Sequence, residues 1–118
     1  MVRAGELHHR VTIQVPLEAT DGHDGSTQTW VPVQQRIPAR VRPLQGRDLE
    51  RAHQIDPRTS HEVTTRFWRH YRHDTRGGRC RVLYHGHDLE DRVFEVVAPA
   101  IDVDEAHTEV RMLCREAA

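Results

Sequence analysis

The chain predicts an all-β fold, a small antiparallel barrel or sandwich of about six or seven strands with one long polar connection after the third. Three observations carry this. Short apolar/polar alternations of period two recur along most of the chain. Turn signals of the Asp-Gly and Gly-Gly kind separate them. Only one stretch, following Gly46, abandons the alternation for a run of charges.

In order, Val11, Ile13 and Val15 share one face of a first strand. Asp21-Gly22 and Asp24-Gly25 then mark a hairpin-like connection. A second strand over Thr27 to Gln35 centres on Trp30, Val31 and Val33, and Pro32 within it demotes it to an edge or bulged position. A third runs from Ile37 to Leu44, with Ile37, Ala39, Val41 and Pro43 on one parity and Arg36, Arg40 and Arg42 on the other, which gives it a wet, arginine-coated face. Gly46 lets the chain leave the sheet, because glycine adopts backbone angles other residues avoid. The excursion from Arg47 to Gln54 suits a short helical turn or a mobile loop, anchored only by Leu49, Ala52 and Ile55. It ends at Asp56-Pro57, since the residue before proline is pushed out of the helical region. Long connections of this kind are usually functional or disordered.

A fourth strand follows at Ser60 to Trp68, and Arg69 to Gly78 reads as a basic turn or tip rather than an element. Arg81 to Tyr84 forms a fifth strand, His85-Gly86-His87 a turn, and Asp88 to Val97 a sixth strand around Phe94. Pro99 to Glu105 is an acidic turn. His107 to Arg115 closes the series, alternating Thr108, Val110, Met112 and Cys114 against Glu109, Arg111 and Leu113.

At 118 residues and 13.7 kDa the chain is one domain, residues 1–118, with one core. With 36% hydrophobic residues and a mean hydropathy of -0.74 that core is thin, as a small barrel allows. All 17 basic residues are arginine, whose planar fork suits carboxylates and phosphates alike. A net charge of -1 argues against wholesale DNA binding, so basic character is local, with arginines toward the middle and acids toward the C-terminal third. No apolar run approaches a signal sequence or membrane span, and the chain reads as soluble, with no membrane partner.

The ten histidines are scattered. The tightest pairs, His70-x-x-His73 and His85-x-His87, lack the framework a zinc site needs, so no metal or other cofactor is expected. If all ten titrated, the formal charge would move from -1 to +9. Cys80 and Cys114 read as buried thiols on neighbouring strands, with a disulfide allowed but not required. Neither a nucleophile beside a base nor a phosphate-cradling glycine loop stands out, which points away from an enzyme. The strongest basic cluster is Arg66, Arg69, Arg72, Arg76 and Arg79, interleaved with Phe67, Trp68 and Tyr71. It supports an alternative reading as a small nucleic-acid-binding barrel whose aromatics stack on bases.

The order and spacing of many weak motifs carry a resemblance. They are Gly5-x-Leu7-x-x-Arg10-Val11-Thr12-Ile13-Gln14, the Asp24-Gly25 turn before Trp30, Ala39-x-Val41-x-Pro43-Leu44-x-Gly46 and Ala52-x-Gln54 in the first half. Val63-x-x-Arg66, Arg81-Val82-x-Tyr84-x-Gly86, Phe94-x-Val96 and Leu113-Cys114-x-Glu116 follow in the second. Together they resemble the head-tail joining proteins of tailed bacteriophages, also called head-closure, stopper or head-tail adaptor proteins. Three features depart from that pattern: Ile37-Pro38 before Ala39, the long basic stretch His70 to Gly78, and an insertion at Glu90-Asp91.

The resemblance implies a β-barrel virion protein, made in the bacterial host cytoplasm, that assembles with copies of itself as a dodecameric ring. Its neighbours would be the portal-adaptor protein on the head side and a tail-completion or tail-tube protein on the other, with genomic DNA passing through. It also implies that the loop Gln45 to Ser60 projects into the channel and closes it. On that reading Gln45, Gly46, Arg47, Asp48, Glu50, Arg51, His53, Gln54 and Arg58 contact neighbouring subunits or DNA. Asp48 and Glu50 offset the arginines so that DNA does not stick in passage.

Overall fold

The computed structural model describes residues 7–20, 26–75, 79–85 and 91–117. The Asp-Gly turn signals at residues 21–25, the Gly77-Gly78 and Gly86-His87 turns, Glu90 and Arg76 lie outside them. The chain runs β1 (His9–Thr20), β2 (Ser26–Pro43), α1 (Gly46–Ile55), β3 (His61–Arg66), α2 (Tyr71–Thr75), β4 (Arg81–His85), β5 (Asp91–Val96), β6 (Ile101–Asp102) and β7 (Glu109–Glu116). The strands form one antiparallel sheet in the order β3-β2-β1-β4-β5-β7-β6, and a further pairing of β3 with β7 closes six of them into a barrel. The short β6 hangs on the outside edge of β7.

Alternation decides which side chains fill the barrel. Val11, Ile13 and Val15 from β1, Val63 from β3, Val82 from β4, Phe94 and Val96 from β5, and Val110, Met112 and Cys114 from β7 make one buried cluster. Tyr71 of α2 plugs it from one side. A second, smaller cluster lies outside the wall, where Leu44, Ala98 and Leu113 are covered by Ala52 of α1, with Leu49 and Val97 packed against them.

The strands expected separately at Thr27–Gln35 and Ile37–Leu44 are one continuous strand. Pairing with β1 slips between Val11 and Ile13 and again between Ile13 and Gln14, which leaves extra residues on β2. Arg36 takes a left-handed φ of 47° there, and its N–H donates to Thr12 Oγ1 at 3.2 Å. The bulge breaks the alternation without ending the strand. The strand count stays at seven because Pro99–Glu105, expected as a turn, holds the two-residue β6 before its 3-10 turn at Val103–Glu105.

Arg69–Gly78, expected as a tip, contains α2. One helical turn is too short to show a period, but Tyr71 and Thr75 fall four apart on its buried side, and Thr75 Oγ1 donates to Tyr71 O at 2.6 Å. The central excursion, expected as a short helical turn or a mobile loop, is a helix of ten residues. Gly46 opens it at φ +59°, and Asp56 ends it in an extended conformation before Pro57.

Candidate functional site

The residues expected to make a channel loop are gathered on α1 and its exit. Leu44 N–H donates to Ser60 O at 3.0 Å, and Ser60 N–H to Cys114 O at 2.9 Å, so the excursion leaves and rejoins the wall at one point. Only Ala52 is buried on the helix. Gln45, Gly46, Arg47, Asp48, Glu50, Arg51, His53 and Gln54 are exposed, giving a face with charges of both signs. Some of them serve the helix itself. Asp48 accepts from Arg42 Nη1 at 3.2 Å, and His53 Nε2 donates to Thr59 O at 3.0 Å. Arg58 clasps Asp56 through Nη2 at 2.8 Å and Nε at 3.0 Å, and these hydrogen bonds hold the Asp56 carboxyl down at about 2.

Beneath α1 the arginine-coated outer face of β2 forms a groove of about 390 Å³. Arg40, Arg42, Arg51 and Arg111 line it with Glu62 between them. Glu62 is buried, accepts from Arg42 Nη2 at 3.3 Å and lies 3.5 Å from Arg111 Nε. Burial works to lower the Arg42 pKa, but Glu62 and Asp48 outweigh it and raise it. Arg40 Nε is buried with no hydrogen-bond partner among the described residues. Arg40 and Arg42 were legible as an exposed arginine face, whereas Glu62 and Arg111 were not. Their meeting depends on the pairing of β3 with β7, half the chain apart.

Of the basic cluster, Arg66, Arg69, Arg72 and Arg79 are exposed and Arg76 lies outside the described residues; Arg69 and Arg72 share a groove that Asp102 and Glu105 also line. The aromatics expected to stack on bases pack among themselves. Tyr71 stands edge-on to Phe67 at 5.7 Å and to Trp68 at 6.3 Å, and Trp68 Nε1 donates to Asp74 Oδ2 at 2.9 Å. These contacts brace the three rings against one another and against α2.

Cys80 and Cys114 are free, buried thiols, and burial pushes Cys80 up to about 12 and Cys114 well above its ordinary value. Among the described residues no three histidine, cysteine or acidic side chains come together as a metal site. None of their helices is long and apolar enough to cross a membrane.

Comparison with known proteins bears on this arrangement. The solution structure of protein SF1141 from Shigella flexneri 2a, a structural genomics target, superposes with a TM-score of 0.72 over 99% of this chain and 98% of that one. At 21% identity the likeness shows a shared fold. No curated protein sequence matches the chain. The family profile of the phage head completion protein matches residues 2–117. A match across nearly the whole length, on the closed barrel just described, makes the chain a member of the phage head completion protein family, structural components of the phage head.

Proposed function

We propose that the whole chain acts as one joining domain, a ring-forming subunit of the head-tail connector between the portal-adaptor complex and the tail. Genomic DNA passes through the ring, and α1 with its exit faces the channel and closes it. The protein works by assembly, without chemistry of its own, and is incorporated into the virion after synthesis in the host cytoplasm.

One observation carries this beyond family membership. On an otherwise closed barrel, α1 is an outlying element that leaves and rejoins the wall at one point and rests on the small outer cluster, and it shows solvent a mixed row of Arg47, Glu50, Arg51, His53 and Gln54. Mixed charge suits a surface that meets DNA transiently. The arginines attract phosphate, while Asp48 and Glu50 limit the counterion release that would make binding tight. In a ring, such an element repeated around the axis needs only a modest shift from each copy to close or open the lumen.

The test replaces residues 45–59 with a two-residue Asn-Gly turn, which the Leu44–Ser60 hydrogen bond leaves room for. Capsids carrying this variant are expected to fill and then lose their DNA. Capsids that retain their genome normally would refute a closing role for α1. Electron microscopy of the purified protein, alone and with its connector neighbours, reports the ring and its copy number.

A further inference from the structure

We infer that subunits join head to tail through a β-ribbon arm of one copy seated in the arginine-lined groove of the next; this rests on the ring reading above. The arm is visible in the pairing register. β1 and β2 pair continuously from Val15↔Val31 to Thr20↔Ser26, yet β4 reaches only Arg10 to Gln14 on one side and β3 only Ala39 to Pro43 on the other. Six residue pairs therefore run beyond the β3 and β4 pairings; Val15 still fills the barrel, and the five pairs past it have no further strand on either edge among the described residues, in a molecule that measures 48 × 34 × 28 Å. A lone two-stranded ribbon is marginal in water, and bare edges invite another chain. The base is braced by Arg81, which stacks 4.3 Å from the Trp30 ring and donates from Nε to Gln14 Oε1 at 2.7 Å. The arm is thus held out, not folded back.

The exposed large apolar side chains divide between this arm and the groove. Among the described residues they are Leu17 at 51%, Ile55 at 62% and Ile101 at 48%. Leu17 stands on the arm, and Ile55 and Ile101 both line the groove under α1. One chain therefore carries an apolar knob and, on a different surface, an apolar-rimmed hole. Charge points the same way. The groove holds four arginines against Asp48 and Glu62, while the paired segments Val15–Thr20 and Ser26–Val31 contain Glu18 and no arginine. The occupant the groove fits is a second copy of this chain, and contact between two unlike surfaces propagates until it closes as a ring.

The test uses the full chain in sedimentation velocity across a concentration series. Leu17→Arg and Ile55→Asp change exposed residues, so both variants are expected to melt as the wild type does. Each is expected to weaken self-association at least about tenfold. Mixed in equal amounts they should form dimers and stop, because the arm of one variant and the groove of the other remain intact, and each dimer ends in two damaged surfaces. A Leu17→Cys/Ile55→Cys double variant should give an intermolecular disulfide ladder on oxidation, with the buried Cys80 and Cys114 uninvolved. Wild-type rings that persist in both single variants, with no ladder, would overturn the arm contact and leave the ring reading standing. A wild type that stays monomeric to millimolar concentration would overturn both.

Discussion

Replacing Glu62 with glutamine keeps its shape and an acceptor oxygen but removes the charge that holds the groove together. The carboxylate is 8% exposed, and its partners Arg42 and Arg111 are 41% and 38% exposed. Removing one member of a fully buried pair costs about 3–5 kcal/mol, and of a fully exposed pair about 0.2–1 kcal/mol. A buried acid between two guanidiniums at two-fifths exposure falls between these, at about 1–3 kcal/mol. For a chain of this length that lowers the melting temperature by about 4–12 °C. Circular dichroism melts of E62Q, R42A and the double variant form the assay, and the pair should show a coupling of about 1 kcal/mol. Arg42 also holds Asp48 of α1, so hydrogen exchange at the α1 amides should accelerate in E62Q more than exchange in β1. A melting point unmoved by E62Q, or additive single effects, would refute the reasoning.

Gly46→Ala should destabilise by about 1–2 kcal/mol through its φ of +59° alone, since an added Cβ meets nothing within 4 Å; Gly46→Asn should cost less, and chemical denaturation ranks them. Burial lowers the pKa of His61 from its ordinary 6.5, so the unfolded chain binds that proton first. Its contribution is complete above 6.5 and falls as pH drops through the lowered value, and melts at pH 7.5 and 5.5 should converge in His61→Gln. Glu116, held below its ordinary value by the Arg92 hydrogen bond, loses its contribution only at lower pH, below 4.5. Native Cys80 and Cys114 should resist a thiol reagent that labels both rapidly in denaturant; fast labelling of folded protein would contradict their raised pKa values.

The fold was legible wherever a strand has a dry side and a wet side. Val11, Ile13 and Val15, and Val110, Met112 and Cys114, announce the barrel interior because no second layer covers most of the wall and alternation stays clean. Leu113 breaks that rule, since it belongs to the outer cluster and is buried among Leu44, Ala98 and the Ala52 of α1. The stops were legible too, because Gly46 and Asp56-Pro57 act through backbone angles that need no distant partner. What depends on distant partners was not. The bulge at Arg36 exists only relative to the β1 register, and the basic stretch around Arg72 is countered by Asp102 and Glu105, about thirty residues onward in sequence. On α1, sequence marks every exposed charge, but it does not show that a single alanine seats the helix.

That seating decides how independent α1 is from the barrel beneath it. The buried barrel cluster contains no α1 residue; the helix contributes Ala52 and half-buried Leu49 to the outer cluster alone. Lifting it away exposes one methyl, part of a leucine and the apolar atoms they cover, a loss of about 2–4 kcal/mol. The exposed Arg42–Asp48 pair adds about 0.2–1 kcal/mol. Global unfolding of a domain takes about 5–15 kcal/mol, so α1 can open well below that and leave the six-stranded wall intact. A helix drawn into the main core would have tied its movement to loss of the subunit. Here the weak outer cluster separates the two, and a competing contact needs to outweigh only one alanine, one leucine and one exposed ion pair to move α1.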